Sequence, residues 1–136
     1  MNLYYKIKNK LVDDFDSLRA RCQRFLRGYS YVDIWNMDYW FMCTIKPMLI
    51  HLRDNHHGVP MEFENDPSAW RFVLTEMIDC LNLMDEDSAY EYHGFGDWHT
   101  YEKLTKKDYE NIYRTMEDNK NRFFELFSKY FFDLWD

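Results

Sequence analysis

"DPSAWRFVLTEMIDCLNLM", Asp66 to Met84, sets its large apolar side chains at Trp70, Val73, Leu74, Met77, Leu81 and Met84. Steps of three and four return to one side of a 3.6-residue turn, so the stretch reads as an amphipathic α-helix. Its start is equally plain. Asp66 can accept from the free amides of a first turn, and Pro67 at the first helical position has no amide to leave unpaired. Glu76 and Asp79 fall opposite the apolar stripe and are expected to face water.

Toward the C-terminus the period lapses. "DEDSAYEYHGFGDWHTYEK", Asp85 to Lys103, carries two glycines, many acids and several rings, and predicts an irregular loop over 85–103. A loop of that length in a compact domain is either functional or disordered. Thr105 with Asp108 then repeats a capping pattern and opens the last helix. Its stripe runs through Tyr109, Ile112, Tyr113, Met116, Phe123, Phe124, Phe127, Tyr130, Phe131 and Leu134. Leu126, Phe132 and Trp135 fall outside that stripe, so the tail is apolar on more than one side and predicts wrapping by neighbours or a second subunit.

Toward the N-terminus two more segments keep the helical period. Leu11, Phe15, Leu18, Cys22, Phe25 and Leu26 mark a helix within residues 1–28, with Gly28 as its stop. Ser30, with Asp33 three residues on, reads as the start of the second helix. Ile34, Phe41, Met42, Ile45, Met48, Leu49 and Leu52 form its stripe, flanked by Trp35 and Met37. Pro47 lies inside that span, where it withholds a donor from the Cys43 carbonyl and predicts a kink or break. Gly58 and Pro60 end the segment.

The expected class is therefore all-α: one domain over 1–136, a bundle of four main helices with a kinked second helix and one long irregular loop. Its 136 residues, 46% hydrophobic and 20% aromatic, are enough for one core. The longest unbroken apolar stretch, Tyr39 to Cys43, is far too short to span a bilayer, so no membrane role and a soluble protein are expected. Three widely spaced cysteines, Cys22, Cys43 and Cys80, suggest neither a disulfide framework nor a zinc knuckle and fit a reducing cytoplasm.

Net charge is −7, unevenly spread: +4 over residues 1–28, with seven Lys or Arg against three Asp, and −11 over the remainder. The basic arm of Lys6, Lys8, Lys10, Arg21, Arg24 and Arg27 suits phosphates or an acidic partner, or else simply complements the C-terminal dipole of its helix. Duplex nucleic acid is not expected against so acidic a body. A compact anionic nucleotide is a better match, since arginines grip phosphates bidentately while neighbouring rings stack on bases. Arg21, Arg24, Arg27 and Tyr29, with His56 and His57 at the turn, are the candidate contacts.

One acid interrupts an apolar face. With the second helix starting at Ser30, Asp38 falls near the centre of the stripe of Ile34, Phe41 and Ile45 and is predicted buried. A buried carboxylate needs a partner. Lys120, on the stripe between Met116 and Phe123, is the first candidate for a buried polar pair, and Arg19 the second. As an enzyme reading, Asp33, Asp38, Glu76 and Asp79 would serve a metal-dependent nucleotide pyrophosphohydrolase, whose carboxylate pairs hold magnesium. The Glu76–Asp79 spacing has no matching ExxE, and a solvated charged face is the preferred explanation. Among the five histidines no usual metal-ligand spacing occurs, and no nucleophile motif is present, so neither catalytic residues nor a metal or other cofactor is expected.

Gly28, Tyr29, Ser30, Asp33, Trp35, Asn36 and Asp38, then Pro47, "HGVP" (His57 to Pro60), Trp70 and the closing "KYFFDLWD" resemble a family of small uncharacterised proteins from tailed bacteriophages, with the pattern GYSxxDxWNxD, HGxP and KYFxxLWD. The likeness runs in order from about Arg27 to Asp136 and leaves the N-terminal arm and the 85–103 segment uncovered. It implies a setting rather than a chemistry: the cytoplasm of an infected bacterial host. There the expected role is a non-enzymatic binding protein that counters antiviral defence by holding a host protein or an anionic nucleotide signal, self-associating through its C-terminal helix. The alternatives are the pyrophosphohydrolase and a structural or assembly protein of the virion.

Overall fold

The computed structural model describes residues 3–96 and 104–135, with side chains from Asp14 onward. The regular elements among them are all helical: α1 (Leu3–Arg27), α2 (Met37–Asn55), a 3-10 turn (Met61–Phe63), α3 (Pro67–Met84), α4 (Glu86–Tyr92), α5 (Lys106–Lys129) and a second 3-10 turn (Phe131–Asp133). The all-α class holds, with five α-helices among the described residues. Contacts divide the chain into two compact units, Met1–Phe41 and Met42–Asp136.

In the larger unit α3 packs along α5. Trp70, Leu74, Met77, Ile78, Cys80 and Leu81 are the buried face of α3, and Ile112, Phe123 and Leu126 that of α5. Both starts are capped as their sequences dictate. Asp66 accepts from the Ala69 amide and the Ser68 hydroxyl, and Pro67 occupies the first turn. Thr105 and Asp108 form a reciprocal box, the Asp108 carboxylate accepting from the Thr105 amide at 2.8 Å and the Thr105 hydroxyl accepting from the Asp108 amide at 3.3 Å. Phe63, Trp70 and Tyr130 close one end of the core as a ring triangle with centroids 5.3–5.7 Å apart. Arg122 of α5 reaches Glu76 of α3 at 2.6 Å and Glu125 at 2.9 Å. These groups are solvated, so packing rather than charge holds the helices together.

The segment expected to be an irregular loop contains α4. Asp85 caps it, accepting from the Ser88 amide at 3.1 Å, and Glu86 and Asp87 sit in a first turn that favours negative charge. Its end is a Schellman motif: the Phe95 amide donates to the Tyr90 carbonyl and the Gly94 amide to that of Glu91, with Gly94 at φ +85°. Phe95 then packs with Tyr90, Ala89 and Ile112 in a small core that ties α4 to α5. Residues 97–103, the rest of that expected loop, lie outside the described residues.

In the smaller unit α1 stops where glycine permits, Gly28 at φ +80° with its amide on the Arg24 carbonyl at 2.9 Å. The Ser30–Asp33 capping pattern forms, but it closes a turn rather than opening α2. The Asp33 carboxylate accepts from the Ser30 amide and hydroxyl at 2.7 and 2.8 Å, and the next bonds, Asp33 to Ser30 and Trp35 to Val32, are of the i to i−3 kind. The first α-type bond is Trp40 to Asn36, and α2 begins at Met37.

That shift corrects the reading of Asp38. It lies exposed in the first turn of α2, where a carboxylate suits the helix dipole, and not inside an apolar stripe. The expected buried pair with Lys120 loses its basis, because the Lys120 ammonium is on Glu117 at 2.6 Å, one turn back on α5. Arg19, the second candidate, lies over the Tyr31 ring at 5.3 Å. α2 also runs through Pro47 without a break.

Candidate functional site

The six candidate contacts fall in two units: Arg21, Arg24, Arg27 and Tyr29 in Met1–Phe41, His56 and His57 in Met42–Asp136. Within the first, most of the gripping capacity is already engaged. Arg24 makes a bidentate pair with Asp33, Nε to Oδ2 at 2.9 Å and the second nitrogen to Oδ1 at 2.5 Å. Arg27 donates to the Tyr29 carbonyl at 3.0 Å and stacks its guanidinium over the Tyr29 ring at 4.6 Å. Arg21 is exposed and has no hydrogen bond or ion pair among the described residues. A recess of about 180 Å³ beside Tyr29 is lined by Asp33, Ile34, Met37 and Trp40, so an anion entering it meets a carboxylate.

Arg24 above all, then the Ser30 amide and hydroxyl, holds the Asp33 carboxyl far below the usual carboxylate range, with desolvation opposing. A depressed carboxylate stabilises the fold fully above the ordinary value, about 4, and loses that contribution as pH falls toward its own lower value. Thermal melts of the protein and of Asp33→Asn between pH 7 and pH 2 test this. The melting-temperature gap between the two is expected to be widest at neutral pH and to narrow progressively as pH falls below about 4. A gap constant with pH would mean that Asp33 acts through shape and not charge.

In the larger unit His56 is half-buried, its Nδ1 3.2 Å from the Leu52 and Arg53 carbonyl oxygens, which makes this ring nitrogen the protonated one and ties the ring to the end of α2. His57 is exposed. A larger concave feature of this unit lies elsewhere. A groove of about 600 Å³ runs between the second half of α2 and the C-terminal end of the chain. Ile45, Met48, Leu49 and Leu52 form one wall and Phe127, Phe131, Leu134 and Trp135 the other, with His51 the one titratable side chain in its lining. Pro47 sits at its lip, and the Trp135 indole lies over Gly58, where an added methyl would make an ordinary van der Waals contact at 3.9 Å. The sequence pattern marks the over-apolar tail but not this groove. The signal was "FFELFSKYFFDLWD", which holds more rings than one helix face can bury.

The four carboxylates of the hydrolase reading are not assembled within either unit. Asp33 is on Arg24 and Glu76 on Arg122, while Asp38 and Asp79 are exposed. Among the described residues no three His, Cys, Asp or Glu side chains converge on a point that a metal ion could occupy. No described helix is long and apolar enough to cross a membrane. Compared with family models, with curated proteins and with solved structures, the chain matches none.

Proposed function

We propose that the protein is a small phage-encoded binding protein, without catalysis of its own, that works in the cytoplasm of the infected bacterial host and holds a host defence protein in the groove between α2 and the C-terminal end of α5. The groove carries this reading. It has the size of a ligand site and the lining of one that accepts an amphipathic helix, apolar on both walls. The −11 balance over residues 29–136 favours a partner segment with basic flanks. Anionic nucleotide sequestration is the weaker reading, because Arg24 and Arg27 are engaged within the chain and Asp33 lines the nearest recess.

Immobilised protein exposed to host extract, with bound proteins and bound small molecules both identified by mass spectrometry, tests it. Met48 is 62% exposed, so Met48→Glu leaves the fold intact while placing a charge in the groove. One host protein retained by the wild type and by Arg21→Ala, and reduced at least about tenfold by Met48→Glu, is the expected result. A retained nucleotide lost with Arg21→Ala and kept by Met48→Glu would replace this reading with sequestration. A Met48→Glu variant that only dissociates a homodimer would make the groove a self-association surface.

A further inference from the structure

Four side chains of α1 stand in water: Phe15 at 66% exposure, Leu18, Cys22, and Phe25 at 89%. In sequence they follow Leu11 at steps of four, three, four and three. That is the 3.5-residue average of a coiled-coil seam, with Phe15 and Cys22 at a and Leu18 and Phe25 at d. The chain's own turn is fastened to the other side of the helix. Ala20 is buried, the Gln23 side chain accepts from the Tyr31 amide at 2.9 Å, and Arg24 holds Asp33. At 100° per residue Ala20 lies about 180° round the helix from the middle of the seam, and Gln23 and Arg24 about 120° and 140°. The turn covers one face and leaves the apolar one open.

We propose that this open face is an interface, and that α1 pairs with α1 of a second copy as a parallel two-stranded coiled coil. Charge placement selects both the occupant and the direction. In a parallel pair each g position faces the e position five residues on in the other strand. Asp14 is at g and Arg19 at that e, so symmetry sets two Asp14 to Arg19 contacts along the seam edges. Arg19 is already steadied beside the seam by the Tyr31 ring. An antiparallel pair centred on the same stripe would instead bring Arg19 near Arg19 and Arg21 near Arg21, like against like. This surface is distinct from the groove, and the inference does not depend on what the groove binds.

Sedimentation of the full chain from about 1 to 200 µM reads the assembly, and Leu18→Glu tests the seam. The wild type is expected to be a concentration-dependent dimer, and Leu18→Glu to weaken it more than about a hundredfold with the circular dichroism of the body unchanged. Asp14→Arg alone is expected to weaken dimerisation about tenfold, and Asp14→Arg with Arg19→Asp to restore it. Parallel pairing also puts the two Cys22 thiols opposite each other. In a Cys43→Ser background diamide, which takes up both thiol hydrogens, should join them as a disulfide within minutes, and Cys22→Ser should abolish the covalent dimer. A monomer throughout the range overturns the proposal, as does a dimer indifferent to Leu18→Glu and to the charge reversals. A dimer that needs Leu18 yet forms no Cys22 cross-link overturns the parallel direction.

Discussion

Trp70→Ala is expected to lower the stability of the larger unit by about 3–5 kcal/mol, among the largest effects available to a single substitution in this chain. Trp70 is 1% exposed in the first turns of α3, stacked on Phe63 at 5.7 Å and edge-on to Tyr130 at 5.3 Å. Truncation removes more than its own buried area. The 3-10 turn carrying Phe63 and the end of α5 carrying Tyr130 both rest on the indole, and neither can close the gap without leaving its helix end. Phe72, two residues on, is exposed, and Phe72→Ala should change stability by less than about 0.5 kcal/mol. Urea unfolding followed by far-ultraviolet circular dichroism measures both. Comparable effects from the two substitutions would place the α3 face wrongly.

Why α3 was legible and α2 was not follows from what each pattern leaves undecided. In α3 the cap, the proline and the stripe all agree on one register, and Trp70, Leu74, Met77 and Leu81 are buried as their spacing requires. α5 was legible in its cap and its period, but its face only in part: Leu126, set outside the stripe, is buried, while Tyr113, Phe124 and Phe131 on it are exposed. The start of α2 was ambiguous because Ser30 and Asp33 make the same bonds whether a helix or a turn follows. The deciding partner, Arg24, lies on α1 and is invisible to a local pattern. Once the helix begins at Met37, Asp38 changes from a trapped acid to a first-turn acid, and the expected pair with Lys120 goes with it. α4 was hidden for a different reason: seven residues give too little period to count. Its ends were readable all the same, in Asp85 with two acids behind it and in "HGF", His93 to Phe95. The groove was the least legible feature, since it joins Met48 to Trp135 across most of the chain.

Phe123→Ala is the second large effect expected, again about 3–5 kcal/mol, and it carries over from the core to the groove. Phe123 is 0% exposed on the face of α5 that meets α3, with the Phe127 ring stacked on it at 5.3 Å. Phe127 is in turn a wall of the groove and meets Phe131 edge-on at 5.5 Å. The three rings form a column from core to lining, so a cavity at Phe123 lets Phe127 sink inward and deepens the groove at the cost of its shape. Binding of the proposed groove partner is therefore expected to fall in Phe123→Ala even at temperatures where circular dichroism reports a folded chain. Phe123→Leu keeps most of the volume, should cost less than about 1.5 kcal/mol, and should restore both measurements together. Tyr113→Ala, exposed on the same helix, supplies the comparison: a small stability change and unaltered partner binding. Partner binding that stays at wild-type strength in folded Phe123→Ala would show that the column does not shape the groove, and that its walls are set by α2 and the C-terminal turn alone.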